Sequence, residues 1–204
     1  MFAIGHFALG YLTGSGSSKL TKTKINLPLL LVASVLPDID LLLQRVDNGL
    51  FMHRGPTHSV ITITLFMIPL LVVYKKQALP YLVALLSHPI IGDLPTGGVE
   101  LLWPVSQHWF GNSIIPMSSL VEVSAELLLF VLATSLMLWS HDLKRLLQPG
   151  THNYFLVIAA VTLLSPNLPL PLVPSSVFWM ILFVYSVTND LRLRFWKNRI
   201  VDDG

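Results

Sequence analysis

Seven apolar runs divide this chain of 204 residues, at 2–18, 26–43, 58–74, 78–93, 118–139, 153–173 and 175–190. Runs of that length, set so close together, leave too little polar sequence to coat a water-soluble surface. With 53% hydrophobic and only 12% charged residues, the chain falls far below the roughly 25% charged content of soluble domains. The expected fold is an all-α integral membrane protein, a polytopic helical bundle of about seven segments, some short or kinked. Residues 1–204 read as a single transmembrane domain, with a motif-bearing half over 1–104 and additional membrane helices over 118–204. The fourteen prolines and twelve glycines scatter through the runs and form no low-complexity tract, which argues against disordered or fibrous architectures. Run 2–18 has no basic stretch before it and no clear cleavage pattern after it, so it is read as structure and not as a signal peptide.

Basic residues orient the runs. Lys19, Lys22 and Lys24 follow the first run, Lys75 and Lys76 the third, Lys144 and Arg145 the fifth, and Arg192, Arg194, Lys197 and Arg199 the last. Only Arg45 and Arg54 fall in the other connections. Cytoplasmic loops are the ones enriched in Lys and Arg, so the expected C-terminus is cytoplasmic and the connections 44–57 and 94–117 face outward. This sorting also accounts for the net charge of +2 without nucleic acid as a partner. The expected location is the inner or plasma membrane.

Ionisable side chains inside such runs cost several kcal/mol unless paired or metal-bound. Here they are His6, Asp38, Asp40, His58, His88, Asp93, Glu122 and Glu126. At about 1.5 Å per helical residue, His6, Asp38, His58 and His88 all lie roughly 18–26 Å from the nearest lysine of the basic side. Four runs therefore deliver imidazoles and carboxylates to one level, between the middle and the outer edge of the hydrocarbon. The chain has no cysteine, so thiolate sites are excluded. The nitrogen and oxygen donors left suit zinc first, with manganese or iron as alternatives, in one or more ions.

Local sequence refines these candidates. Pro37 is expected to bend or interrupt the second run so that Asp38 and Asp40, which an unbroken helix aims apart, can both turn toward the site. In His53-Arg54-Gly55-Pro56-Thr57-His58-Ser59, Gly55 and Pro56 make a turn flanked by two imidazoles that can point at one centre, and Ser59 can cap the helix that follows. Arg54 stands on the side kept poor in basic residues, and its planar fork invites a phosphate or carboxylate. Gly97 and Gly98 permit close approach of the backbone to a bound group. Gly5, Gly10 and Gly14 let a neighbouring helix come near. Glu122 and Glu126 share one helix face and are expected to line a cavity. His108 is read as surface, and His141, Asp142, His152 and Asp190 as solvated ends.

In order and spacing, Gly5-His6, Leu36-Pro37-Asp38-Ile39-Asp40, the 53–59 heptad, and Ser87-His88 through Asp93 and Thr96-Gly97-Gly98 to Leu102-Trp103-Pro104 resemble one family. It is the membrane-bound, predicted metal-dependent hydrolase family typified by the LexA-regulated inner-membrane protein YdjM. The likeness covers about residues 1–104. It implies a divalent metal site built from His6, Asp38, Asp40, His53, His58, His88 and Asp93, together with hydrolytic chemistry. The family usually places its later His and Asp four residues apart, whereas His88 and Asp93 are five apart with Pro89 between them. A local wide turn would absorb the extra residue.

The function expected is metal-assisted hydrolysis of an ester or phosphoester on a lipid or other amphiphile that reaches the site from the outer leaflet. Asp38 or Asp40 would take the proton and Arg54 would hold the anionic head. Membrane lipids, a lipid-like substrate and either self-association or a membrane complex are the partners such a site implies. Two rivals are a metal or proton transporter, disfavoured by the dry lower halves of runs two to four, and a non-catalytic metal-binding subunit of a membrane complex.

Overall fold

Proline and glycine placement decides where the helices start, stop and touch. The computed structural model describes the backbone of residues 1–43, 52–164 and 167–202, and side chains at 1–41, 52–164 and 167–193. Arg45 lies outside the described residues, as do the side chains of Arg194, Lys197 and Arg199.

Helix α1 (Ala3–Thr21) runs through the middle of the bundle, with Phe7 and Tyr11 fully buried and Lys22 closing it in the left-handed conformation. Helix α2 (Leu27–Val35) starts where the Asn26 side chain accepts from Leu29 N and Pro28 occupies the first turn, a position that tolerates its missing N–H. A Cβ on Gly10 would stand 2.2 Å from Ser34 Cβ, and one on Gly14 2.5 Å from Leu30 Cδ1. Of the three glycines expected to admit a neighbour, Gly10 and Gly14 do so against α2, while Gly5 faces Met1 and Glu126. At Pro37 the chain tightens into a 3-10 turn (Leu36–Ile39) before the short α3 (Asp40–Leu43), which is the expected interruption.

After a 3-10 turn (Pro56–His58), Ser59 caps α4 (Val60–Tyr74) by accepting from Ile61 N and Thr62 N, as its position predicted. The stretch Val60–Asp93 is apolar and helical throughout, but it is a hairpin. At Lys75 φ is 52° and ψ −131°, and the chain passes through a 3-10 turn (Lys75–Ala78) into α5 (Leu79–Ser87). A continuous helix would hold His58 and His88 about 45 Å apart; their Nε2 atoms are 3.1 Å apart. At about 1.5 Å per residue α4 is about 22 Å long and α5 about 14 Å, each shorter than the roughly 30 Å hydrocarbon core.

Helix α5 continues into a π-helix (His88–Asp93), the wide turn that five-residue spacing required. Among the described residues there is no strand beyond the single bridge between Val99 and Phe110 in the loop that follows. Helix α6 (Leu120–Trp139), capped by Ser119, packs on α1 and leads through the short α7 (Asp142–Leu146) to α8 (Leu156–Thr162). The run at 153–173 is therefore not one segment. Pro169 and Pro171 lie where a helix interior would lose its hydrogen bonds, and α9 (Val173–Asp202) begins afresh with Pro174 in its first turn. Besides the hairpin stretch, Leu120–Trp139 and Leu170–Leu193 are long and apolar enough to cross a membrane, while Leu27–Ile39 and Asn153–Thr162 are shorter apolar helices. The chain is an all-α membrane protein.

Phe7, Trp179 and Phe183 form the aromatic centre of the core, with ring centroids 5.1–5.7 Å apart. Lipid-facing surface is plain on α4, where Leu65, Phe66, Val72 and Val73 are exposed. An apolar stripe of that kind has no use in water. At the basic end, Asp142 is buried, not solvated: it accepts from Tyr11 Oη, Ser140 Oγ and Arg145 Nη1. Asp190 is also buried, and His108 is exposed as expected.

Candidate metal centre

Three chain segments bring four side chains to one point opposite the lysine-bearing turns. The break at Pro37 brings Asp38 inward, the 3-10 turn at 56–58 sets His58 at the head of α4, and the π-helix turns both His88 and Asp93 the same way. An α-helix would place residues five apart about 140° from one another; a π turn keeps them on one face. His58 and His88 Nε2 lie 3.5 and 3.4 Å from Asp38 Oδ1, and 3.3 and 3.2 Å from Asp93 Oδ2. All four residues are buried, and together they form a group able to hold a metal ion.

Hydrogen bonding on the far side of each ring defines what these atoms offer. His88 Nδ1 is 2.8 Å from the Ser34 carbonyl oxygen, which can only accept, so Nδ1 donates to it and Nε2 is the nitrogen turned to the cluster. His58 Nδ1 is likewise turned to a carboxylate, 3.2 Å from Asp40 Oδ2. With each Nδ1 turned away to a partner behind its ring, the converging atoms are two imidazole nitrogens and two carboxylate oxygens, the donor set a metal ion takes. Asp93 Oδ2 is buried with no hydrogen-bond partner. A cation resolves such a cluster, since buried acceptors without donors are costly.

Asp40 stands behind His58 and not at the convergence point. Its oxygens accept from Thr57 Oγ1 at 2.8 Å, Arg54 N at 3.3 Å and His53 Nδ1 at 3.1 Å. Asp40, His53 and His58 make a second group spaced to hold a metal, but the first arrangement of Asp40 is that of a carboxylate orienting a ligand imidazole. His53 is the most exposed of the set, with a third of its side chain accessible.

His6 stacks on His88 with centroids 3.5 Å apart, and its Nε2 is 3.6 Å from Asp93 Oδ1. Neither ring nitrogen has a hydrogen-bond partner. A Cβ on Gly92 would stand 2.5 Å from His6 Cε1, so glycine at 92 is what lets α1 and the π turn close. Arg54, at φ 67°, donates from Nη2 to Asp93 Oδ1 at 2.9 Å and to Thr96 Oγ1 at 3.2 Å. The room beside Gly97 is taken by this guanidinium, since a Cβ there would lie 2.1 Å from Nη1.

Glu122 and Glu126, expected as cavity lining, act as helix caps. Glu126 accepts from Phe2 N at 2.6 Å and Gly5 N at 3.2 Å, tying α6 to the start of α1 one turn before His6. Glu122 Oε2 accepts from Ser118 N. Two further supports escaped the sequence reading. The Ser34 carbonyl that fixes His88 carries no side-chain signal, and the fit of Thr57 between Asp40 and His58 depends on a turn geometry no motif spells out.

Apolar helices, some of membrane length, together with imidazoles and carboxylates spaced to bind a metal define the class: a polytopic membrane protein with a candidate metal centre. Within that class, the chain belongs to the YdjM inner membrane protein family, whose match covers residues 1–166. The match reaches well past residue 104 and takes in α6 to α8. Comparison with curated proteins and with solved structures returns no match.

Proposed function

We propose that the protein is a membrane-embedded, zinc-dependent hydrolase acting on an ester or phosphoester of a lipid or other amphiphile from the outer-leaflet side. The observation that carries this reading is the convergence of His58 Nε2, His88 Nε2, Asp38 Oδ1 and Asp93 Oδ2 on one buried point. A tetrahedral ion bonded at about 2.0–2.2 Å keeps its ligands about 3.3–3.6 Å apart; the nitrogen-to-oxygen separations here run from 3.2 to 3.5 Å. Zinc held there would supply Lewis acidity and, by taking up a water beyond its four protein ligands, an acidified nucleophile.

The chain's own residues provide the rest. Asp38 is the least buried of the four donors, with 9% of its side chain accessible against 2% or less for the others, so it is the carboxylate best placed to take a proton from an entering group. Arg54 holds Asp93 in place and adds positive charge beside it, which favours an anionic substrate group. Asp40 and the Ser34 carbonyl keep the two imidazoles in the tautomer that leaves Nε2 free. A reacting bond sunk below the interface suits a lipid, whose ester or phosphate sits near that depth.

Purified protein in detergent should hydrolyse at least one member of a panel of phospholipids, acyl esters and phosphomonoesters. A chelator should stop the reaction and added zinc restore it. Bound zinc with no turnover across the panel would contradict the catalytic reading and leave a non-catalytic metal-binding membrane protein.

A further inference from the structure

The catalytic reading leaves open how a substrate is held, and the flank of the bundle offers an answer. Two adjoining cavities lie along α4. The smaller, 280 Å³, reaches Pro37 and Thr57; the larger, 610 Å³, runs on to Lys24, Gln77 and His152. They share Leu36, Phe66 and Leu85 as walls, so they form one trough. Its sides are α2 and α4, which make little direct contact with each other, and its floor is α5, against which both pack.

The two ends of the trough differ in kind. At the upper end, Thr57 donates to Asp40 and precedes His58, and Pro37 precedes Asp38, so the trough ends one residue away from the metal centre's donors. At the lower end, Lys24, Tyr74, Gln77 and His152 provide polar tips where the lysine-bearing turns lie. Between them the wall is almost wholly apolar, with Thr62 its main polar side chain. From Thr57 to Tyr74 the α4 side spans about 25 Å, more than the half of a roughly 30 Å hydrocarbon core that one leaflet's chains fill. Phe66, 60% exposed, leaves the side of the trough open to the surrounding lipid.

We propose that this trough is the acyl-chain slot of the metal centre: one fatty-acyl chain of a membrane phospholipid lies along α4 with its head at Thr57 and Pro37 and its tail toward Lys24. The proposal rests on the hydrolase reading and names its substrate class. A long apolar channel ending beside a cluster of donors selects for a molecule with a long unbranched chain and one polar end, because each methylene buried adds to binding. A soluble substrate would leave the trough unused.

Photo-crosslinking tests the proposal apart from turnover. The protein is reconstituted in phosphatidylglycerol nanodiscs containing phosphatidylglycerol probes with a diazirine either beside the acyl carboxyl or at the chain end, and adducts are mapped by peptide mass spectrometry. The carboxyl-side probe should label around Leu36 and Thr62 and the chain-end probe around Leu29 and Leu70. Both should exceed labelling of the α6 lipid face by about tenfold. Ala33→Phe, which fills the trough, should abolish that excess; Leu70→Trp serves as a second variant, with monodispersity and melting temperature as fold controls. Uniform labelling of trough and α6 face, a reversed order of the two probes, or retention of the excess in both variants would overturn the slot. Trough labelling without hydrolysis of any phospholipid would keep the slot and refute the catalytic reading. Equal turnover of short-chain and long-chain esters without trough labelling would do the reverse.

Discussion

Asp40 separates a ligand from its support. It touches His58 through Nδ1 while the converging atom is Nε2, so its charge acts on the metal only through the ring it orients. Asp40→Asn should therefore weaken zinc affinity about 10–100-fold without abolishing binding, measured by competition with a chromogenic chelator. Loss as complete as in His58→Ala would make Asp40 a direct ligand. That Asp38 and Asp40 matter was legible from their cost inside an apolar run, since a buried carboxylate demands a partner wherever it lies. Which of the two faces the centre was not, because the choice turns on one 3-10 turn at Pro37. Glu126 shows the same limit. Its burial is readable, but its use as a cap for α1 depends on two helices meeting that are separated by more than a hundred residues.

At the level of elements, the centre depends on how closely α1, α2 and α5 pack. Gly10 presses on Ser34, and the Ser34 carbonyl holds His88, so a contact remote from the metal bears on its ligand. Gly10→Val should destabilise the fold by about 1–3 kcal/mol and lower zinc affinity as well, read from melting curves in detergent with and without the ion. An unchanged melting temperature would show that α1 and α2 are free to separate. Several elements were visible in sequence: the cap at Ser59, the break at Pro37, and the wide turn at 88–93 that five-residue spacing demanded. The α8 to α9 region was misjudged because apolar composition continues across Pro169 and Pro171, where the backbone cannot continue as helix. Hydropathy reports where lipid can be; it does not report where a helix ends.

On the scale of the whole molecule, the turn of Lys75 and Lys76 and the metal centre occupy opposite ends of the hairpin. Lys75 turns the chain at one end while His58 and His88 meet at the other. If the lysine-bearing end faces the cytoplasm, as charge bias predicts, the loop carrying His108 lies outside and the one carrying Lys144 inside. The absence of cysteine makes the check direct. His108→Cys should react with a membrane-impermeant maleimide in intact spheroplasts, and Lys144→Cys only after lysis; the opposite pattern would invert the topology and place the centre toward the cytoplasm. Membership of the family was legible because motifs in the first half report local turns and donors. The second half offers only apolar packing around Trp179 and Phe183, where many sequences fit equally well.

The metal itself is the most direct test. Elemental analysis of the purified wild-type protein should find about one zinc per chain, with His58→Ala and Asp38→Asn each nearly empty at unchanged monodispersity. Equal zinc content in the wild type and both variants would contradict the centre, and with it the chemistry proposed for this bundle.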